Sequence, residues 1–254
     1  MFDGTAEQYD RFMGRYSAGL SAAFADFAGV RGGERVIDVG SGPGALTGEL
    51  VARGAHVTAA DPSEHYVNAV RTRYPQVETT VASAEALPFP DGVFDVAVAQ
   101  LVVHFLADPV VGLREFARVT GAGGVVAASV WDHAGGRGPL TVFWDAVHEL
   151  EHGAADESAR PGARSGHLAE LFTAAGLDAV DETVLWTEVT HPDFDEWWEP
   201  YTAGVGPAGR YAAALDPDAR AHLRELCRAR LGDGPFTITA GAWAVRGTFP
   251  GRPF

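Results

Sequence analysis

The chain has 254 residues, and its 34 acidic side chains outnumber its 19 lysine and arginine side chains, which gives a formal net charge of −15. This excess disfavours broad contact with nucleic acid or an anionic membrane, because both are bound through clustered cations. The sequence contains no lysine, which excludes a lysine-dependent phosphate loop and Schiff-base chemistry. Its single cysteine, Cys227, excludes an internal disulfide and a multi-cysteine zinc site.

The length and the hydrophobic content of 46% suit a folded protein with a sizeable core. Residues 1–10 contain acidic side chains and no apolar run, so we expect no signal peptide. No apolar stretch reaches the roughly 20 residues that span a bilayer. We therefore expect a cytoplasmic protein that forms one domain over residues 1–254.

The first half of the chain alternates short apolar runs with amphipathic stretches, which predicts strands that alternate with helices. The predicted strands are 35–39, 55–60, 77–81, 94–99 and 124–130. The predicted helices between them are 45–53, 63–73 and 110–119. This order predicts a parallel sheet with crossover helices, and the uninterrupted apolar strands indicate that both faces are covered.

The second half is richer in helical patterns. The predicted elements are helices at 141–151, 165–175, 194–201 and 217–231, and strands at 184–189 and 236–245. This half is also rich in aromatic side chains, which could either wall an apolar ligand pocket or belong to the ordinary core. The aromatic residues are Trp131, Phe143, Trp144, Trp186, Trp197, Trp198 and Tyr201. Because Trp197 and Trp198 are adjacent in one helix, we expect that only one of them faces inward.

Residues 36–44, VIDVGSGPG, form a glycine-rich turn between a predicted strand and a predicted helix. Glycine lets a ligand approach the backbone because it has no Cβ, and the following helix N-terminus presents free N–H groups. Asp61 ends the next predicted strand, where a carboxylate can accept hydrogen bonds from ribose hydroxyls. The turn, the acid and the strand order together predict a nucleoside site. A tight turn followed by a helix-capping Asp61 is the structural alternative.

The same turn also fits a second class of nucleotide. Gly40, Gly42 and Ala45 satisfy the alanine-ended dinucleotide fingerprint, so an NAD(P)-dependent oxidoreductase is a competing interpretation. Asp38 weighs against it, because a carboxylate two residues before Gly40 can serve an ammonium group or the turn but does not help to bind a pyrophosphate. The absence of lysine also excludes the Tyr/Lys pair of many dehydrogenases.

Several motifs occur in the order in which one enzyme family carries them. Residues 38–44, DVGSGPG, resemble motif I of the class I S-adenosylmethionine-dependent methyltransferases. Residues 82–95, ASAEALPFPDGVFD, resemble the segment around the third and fourth strands of the ubiquinone/menaquinone-biosynthesis-like (type 11) small-molecule methyltransferases. The motifs at 102–109, 114–119 and 123–124 continue the resemblance. The resemblance extends from about residue 31 to residue 131 and is loose in the second half.

The resemblance implies a Rossmann-like α/β fold with a seven-stranded, mostly parallel sheet, helices on both faces and an antiparallel last strand. The cofactor-binding half is expected at about 31–132, and we hypothesise that segments at about 1–25 and 133–232 form a lid or bind the substrate. The implied activity is methyl transfer from S-adenosylmethionine to a small-molecule acceptor, with S-adenosylhomocysteine as product. Two further alternatives are a cofactor-binding enzyme that catalyses a non-methylating reaction such as cyclisation, and a non-enzymatic binding module.

The resemblance also implies residue roles. Gly40, Gly42 and Gly44 would line the methionine part of the cofactor, Asp61 would hold the ribose, and Gln100 would lie near the sulfonium. The full implied set is Tyr9, Arg15, Asp38, Gly40, Ser41, Gly42, Gly44, Asp61, Pro62, Ser83, Ala84 and Gln100.

The set includes one departure from the family pattern and two residues of the N-terminal segment. Ser83 and Ala84 fall where the family has an Asp followed by a residue whose backbone N–H meets adenine. A serine hydroxyl is a weaker acceptor than a carboxylate. Tyr9 and Arg15 lie in a segment that closes over the cofactor in this family, and Arg15 would pair with the cofactor carboxylate. The alternative is an amphipathic packing helix with a surface arginine.

Histidine patterns suggest two further kinds of chemistry. His104 follows the fourth strand, where it could deprotonate an acceptor hydroxyl or simply pack and orient the loop. His148, Glu149 and His152 spell an H-E-x-x-H motif, which on a helix could hold zinc with Glu170 as a third ligand. Because nothing else in the chain indicates a protease, we interpret this motif as a polar helix face and predict no metal site.

Overall fold

The computed structural model describes residues 5–250 and contains one seven-stranded sheet of order β3-β2-β1-β4-β5-β7-β6. The strands are β1 (Arg35–Val39), β2 (His56–Asp61), β3 (Glu78–Val81), β4 (Phe94–Gln100), β5 (Thr120–Trp131), β6 (Asp178–His191) and β7 (Phe236–Thr248). Strands β1 to β5 pair in parallel, and β7 runs antiparallel to both β5 and β6. The predicted mostly parallel sheet with an antiparallel last strand is confirmed.

Helices surround this sheet. They are α1 (Ala6–Tyr9), α2 (Arg15–Ala28), α3 (Ala45–Ala52), α4 (Glu64–Arg73), α5 (Pro109–Val119), α6 (Thr141–Leu150), α7 (His167–Ala174), α8 (Phe194–Thr202), α9 (Gly206–Ala214) and α10 (Pro217–Leu231). A π-helical turn, Asp10–Gly14, joins α1 to α2, and we call residues 6–28 the N-terminal run. The glycine- and alanine-rich α9 was missed by the sequence prediction because it has no clear apolar stripe.

The central strands are buried on both faces because different helices cover each side. Ile37 of β1 packs in one apolar cluster with Leu113 of α5 and Phe172 of α7. Val36, its neighbour in the strand, packs in another cluster with Phe24 of α2 and Leu50 of α3. Successive strand residues point to opposite faces, so a continuous apolar strand requires this double cover.

A third apolar cluster joins the N-terminal run to α6, α8, α9 and α10. Trp197 and Trp198 are both buried in it, with 3% and 5% of their surfaces exposed, so the expectation that only one faces inward was wrong. The physical reason is that α8 has neighbours on several sides, including α9, α10 and β6. Phe143, Trp144 and Tyr201 belong to the same core, whereas Trp186 is 48% exposed.

Within residues 5–250, no helix combines the length and the apolar character that a bilayer crossing requires.

Candidate active site

A cavity of about 290 Å³, which we call the large cavity, lies at the carboxyl ends of β4, β1, β2 and β3. Each of these strands ends at it or leads into a lining segment, and this edge is where open parallel sheets bind ligands. The predicted site residues that line it are Tyr9, Gly40, Gly42, Asp61, Pro62, Ser83, Ala84 and Gln100. Its volume is close to the lower end of about 300 Å³ for small-molecule pockets.

The glycine turn presents open backbone to this cavity. Gly40 and Gly42 have φ angles of +70° and +53°, a left-handed region that favours glycine. A Cβ added to Gly40 would lie 2.5 Å from Cγ2 of Val102, whereas a Cβ added to Gly42 would meet no atom within 4 Å. Gly40 is therefore required by close packing, and Gly42 borders free space that a ligand can occupy.

Asp61 connects this turn to the end of β2. Its Oδ2 accepts a hydrogen bond of 2.9 Å from the Gly42 N–H, and its Oδ1 accepts one of 2.8 Å from the Ser63 N–H. Burial raises the pKa of Asp61, and these two hydrogen bonds oppose that rise. A carboxylate has about four lone-pair sites, so Asp61 keeps the capacity to accept hydrogen bonds from ribose hydroxyls.

Asp38, Ser41 and Gly44 lie in the turn region but do not line the large cavity. Asp38 is buried and accepts a hydrogen bond of 2.6 Å from Oγ1 of Thr47 in α3. Burial raises the pKa of Asp38 to about 7, and the nearby charge of Asp61 raises it further, while the Thr47 hydrogen bond opposes the rise. Ser41 and Gly44 lie in the turn itself, where the Gly44 N–H donates to the Ser41 carbonyl oxygen at 3.0 Å.

Gln100, at the end of β4, is oriented by the N-terminal run. Its Nε2 donates to the Ser17 carbonyl oxygen at 2.9 Å and to Oγ of Ser21 at 3.2 Å. Its Oε1 is buried and has no hydrogen-bond partner within residues 5–250. Gln100 therefore lines the same cavity as the glycine turn, while its Oε1 is enclosed by the protein.

Tyr9 and Arg15 are separated by the structure. Tyr9 lines the large cavity, and its hydroxyl lies 3.3 Å from Oγ of Ser17. Arg15 does not line it, because its guanidinium pairs with Glu196 and donates to the Thr190 carbonyl oxygen at 3.0 Å. Tyr9 and Arg15 are six positions apart, and this spacing places two helical side chains on different faces. The expectation that Arg15 binds the cofactor therefore has no support in its position.

His104 lines a neighbouring cavity of about 20 Å³, the small cavity, rather than the large one. Tyr9, Leu101 and Phe105 line both cavities. His104 is only 3% exposed, and its Nδ1 has no hydrogen-bond partner in the described chain. Burial keeps the pKa of His104 well below its usual value, and His133 and Arg160 lower it further. The imidazole is therefore neutral at pH 7.

Two polar residues of the small cavity were missed by sequence reasoning. His133 lies just beyond β5, with its ring centroid 6.1 Å from that of His104, and burial lowers its pKa to about 4. Its position after a strand end is the same signal that identified His104 and could have found it. Glu157 accepts a hydrogen bond of 3.0 Å from Nε1 of Trp144. It lies in a loop whose sequence gives no comparable signal.

The H-E-x-x-H motif does not assemble a zinc site. Helix α6 ends at Leu150, so His152 lies beyond the helix and cannot share a helical face with His148. Glu149 instead pairs with Arg230 at 2.5 Å, and Glu170 pairs with Arg164 at 2.9 Å. Within residues 5–250, no three or more His, Cys, Asp or Glu side chains are grouped so that they could hold a metal ion.

Comparison with known proteins gives a family for this site. A methyltransferase domain family matches residues 37–128. The chain is 30% identical over 214 residues to the demethylmenaquinone methyltransferase of Mycobacterium sp. (strain KMS), covering 81% of this chain and 89% of that protein. It is 34% identical over 128 residues to the demethylmenaquinone methyltransferase of Beutenbergia cavernae. This alignment covers 49% of this chain and only 53% of that protein's length.

Solved structures share the fold. A SAM-dependent methyltransferase from Thermotoga maritima superposes with a TM-score of 0.55 at 17% identity, covering 95% of this chain and 93% of that chain. The [4+2]-cyclase SpnF superposes with a TM-score of 0.56 at 19% identity, covering 92% of this chain and 81% of that chain. At these identities the likeness concerns the fold alone.

The residues present fit the cofactor that the family uses. The free space beside Gly42 and the lone-pair capacity of Asp61 lie along one cavity at the edge of the sheet. The match to the methyltransferase domain, together with a relative aligned over 89% of its length, decides the assignment. The chain belongs to the S-adenosylmethionine-dependent methyltransferases, and its cofactor is S-adenosylmethionine.

Proposed function

We propose that the protein transfers a methyl group from S-adenosylmethionine to a small-molecule acceptor and that the cofactor binds in the large cavity. The observation that carries this proposal is the hydrogen bond from Gly42 to Asp61 beside open space at the ends of β1 and β2. When bound, S-adenosylmethionine supplies a methyl group activated by a positively charged sulfur.

The lining residues act by binding and orientation. Asp61 accepts hydrogen bonds from the ribose hydroxyls, and the bare backbone of Gly40 and Gly42 accommodates the methionine part. Gln100, fixed by its bonds to α2, lines the cavity near that part. Holding reactants in line accounts for much of the rate in such a reaction, because alignment removes an entropic cost.

The acceptor side is the small cavity. His104 is neutral there, and its Nδ1, which has no hydrogen-bond partner in the described residues, would hold the proton of an acceptor hydroxyl. A volume of about 20 Å³ has room for about one water molecule, so an acceptor enters only when the cover moves. Tyr9, Phe12 and Met13 of the N-terminal run provide part of that cover.

The outer edge of this cover is held by a solvent-exposed ion pair. Arg11 and Glu199 form a 2.6 Å ion pair in which both side chains are 63% exposed. Such pairs contribute about 0–1 kcal/mol. The N-terminal run, together with the parts of the segment at about 133–232 that line the small cavity and lie outside α7 and β6, acts as the lid. If neither the cofactor nor the acceptor changes the tryptophan fluorescence when it is added, this role is contradicted.

The function is tested by incubating the protein with S-adenosylmethionine carrying an isotopically labelled methyl group and with panels of neutral hydroxyl and amine compounds. Mass spectrometry should detect a labelled product and an equal amount of S-adenosylhomocysteine. The cyclase among the fold neighbours motivates a second outcome. Conversion of a substrate that requires bound cofactor but leaves the cofactor unconsumed would replace methyl transfer with a non-methylating reaction.

A further inference from the structure

We propose that Glu85 is the residue that recognises the amino group of adenine in the large cavity, and that Ser83 positions the Glu85 carboxylate. The inference rests on the proposed function, because it takes the large cavity as the cofactor site. It changes the expectation from the sequence, in which the hydroxyl of Ser83 meets the adenine itself.

The order of strands sets which end of the cavity receives the base. The lining runs from β4 through β1 and β2 to β3, and neighbouring strands lie about 4.8 Å apart. Asp61 ends β2, with the glycine turn on one side of it and the segment after β3 on the other. A nucleoside held at Asp61 by its ribose, with its methionine part at the turn, therefore places its base at the end of β3.

The end of the cavity at β3 has one carboxylate and apolar surroundings. Of the described residues that line the whole cavity, only Asp61 and Glu85 carry carboxylates, and only Glu85 follows β3. Ala84, Leu106 and Ala107 line the cavity as well. Flat apolar surroundings with one polar partner are what a purine base requires, because its faces are apolar and its edge carries the hydrogen-bonding groups.

Hydrogen bonds fix the Glu85 side chain in this place. Oγ of Ser83 donates to Oε2 of Glu85 at 3.0 Å, and the Asp108 N–H donates to Oε1 at 3.0 Å. The Glu85 N–H donates back to Oγ of Ser83 at 3.3 Å. The serine hydroxyl is thus engaged by Glu85 through both its proton and a lone pair.

This arrangement gives the cavity a stronger acceptor than serine alone. Two donors occupy about half of the lone-pair sites of a carboxylate, so Glu85 can accept further hydrogen bonds. A hydrogen bond from an amino group to a carboxylate is charge-assisted and stronger than one to a hydroxyl. Glu85 therefore favours a base whose edge carries an amino group that can donate a hydrogen bond.

The test is a calorimetric titration with two probes, S-adenosylhomocysteine and its analogue in which hydrogen replaces the 6-amino group. The unmodified protein should bind the first about tenfold or more tightly, as expected for one charge-assisted hydrogen bond. Glu85→Ala should bind both probes with equal affinity. Ser83→Ala should lose part of the preference, because the carboxylate loses one of its two positioning donors. Glu78→Ala, which changes an exposed carboxylate at the start of β3, should behave like the unmodified protein.

The outcomes separate this inference from the proposed function. If Glu85→Ala keeps the tenfold preference for the amino-bearing probe, the role of Glu85 is overturned while the cofactor site stands. If the unmodified protein binds neither probe, the cofactor site itself is wrong. Thermal unfolding shows whether Glu85→Ala folds. If it does not, Glu85→Gln keeps the shape of the side chain, and its preference should fall several-fold because a neutral amide is a weaker acceptor.

Discussion

Gly42 donates its backbone N–H to Oδ2 of Asp61 over 2.9 Å, which ties the turn after β1 to the acid that ends β2. The other carboxylate oxygen accepts the Ser63 N–H at 2.8 Å. One buried side chain thus shapes the backbone on two sides of the cavity and faces the cavity itself. Removing this side chain affects a bound nucleoside directly and through the shape of the turn.

Asp61→Ala should therefore weaken the binding of S-adenosylhomocysteine by about 1–3 kcal/mol, the cost of losing a buried hydrogen-bond partner. Isothermal titration calorimetry measures the change. Asp26→Ala is the matched control, because Asp26 is an exposed carboxylate on α2 that pairs with Arg53. Equal affinities for Asp61→Ala and the unmodified protein would contradict the proposed role of Asp61.

Gly40→Ala should destabilise the protein more than Gly29→Ala. Both glycines have left-handed φ angles, +70° and +75°, so both substitutions introduce strain of about 1–2 kcal/mol. A Cβ at Gly29 would meet nothing within 4 Å, whereas one at Gly40 would collide with the stiff β-branched side chain of Val102. Overpacking should add about 1–3 kcal/mol to the loss for Gly40→Ala. Denaturant unfolding compares the two variants, and equal losses would show that the contact with Val102 is not limiting.

The order of elements and the cofactor edge of the sheet could be predicted because they depend on local patterns. The strand-turn-helix unit around Gly40 and the position of Asp61 at a strand end were both readable from the sequence. The sequence could not show that Arg15 turns away to Glu196, because that pairing joins elements 181 residues apart. The position of Glu157 at the small cavity could not be predicted either, because a loop brings it there.

The burial of Trp197 and Trp198 shows a different limit. A single helix considered alone has one inward face, and the prediction followed that rule. The core formed by α6, α8, α9 and α10 encloses α8 more fully, so adjacent positions are both covered. Helical periodicity predicts which face is apolar, but it does not count the neighbours a helix will have.

Asp38→Asn should make the protein more stable at pH 8 and not at pH 4. The folded state raises the pKa of Asp38 from 3.8 to about 7, chiefly through burial. The stabilisation linked to its protonated form is therefore complete below about pH 4 and is lost as the pH rises through about 7. Asparagine stays neutral and can still accept from Thr47, so its melting temperature should exceed that of the unmodified protein by roughly several degrees at pH 8.

Thermal unfolding followed by circular dichroism at pH 4 and pH 8 measures this difference. Asp145→Asn, at an exposed position in α6, is the control and should change little at either pH. If Asp38→Asn is less stable than the unmodified protein at pH 8, Asp38 is ionised in the folded state and stabilised by a partner.

His104 should remain neutral through the physiological pH range. Burial, with the charges of His133 and Arg160, lowers its pKa well below 6.5. In NMR spectra its imidazole signals should therefore not shift between about pH 8 and pH 6. The imidazole signals of His104 are assigned as those that disappear from the spectrum of the His104→Gln variant. A titration midpoint at or above 6.5 would contradict a buried, neutral imidazole.

A calorimetric titration of the purified protein with S-adenosylhomocysteine and, separately, with NAD shows whether the large cavity is an S-adenosylmethionine site. We expect saturable binding of S-adenosylhomocysteine at one site per chain and no binding of NAD. Binding of NAD, or no binding of S-adenosylhomocysteine, would mean that the glycine turn and Asp61 serve a different ligand.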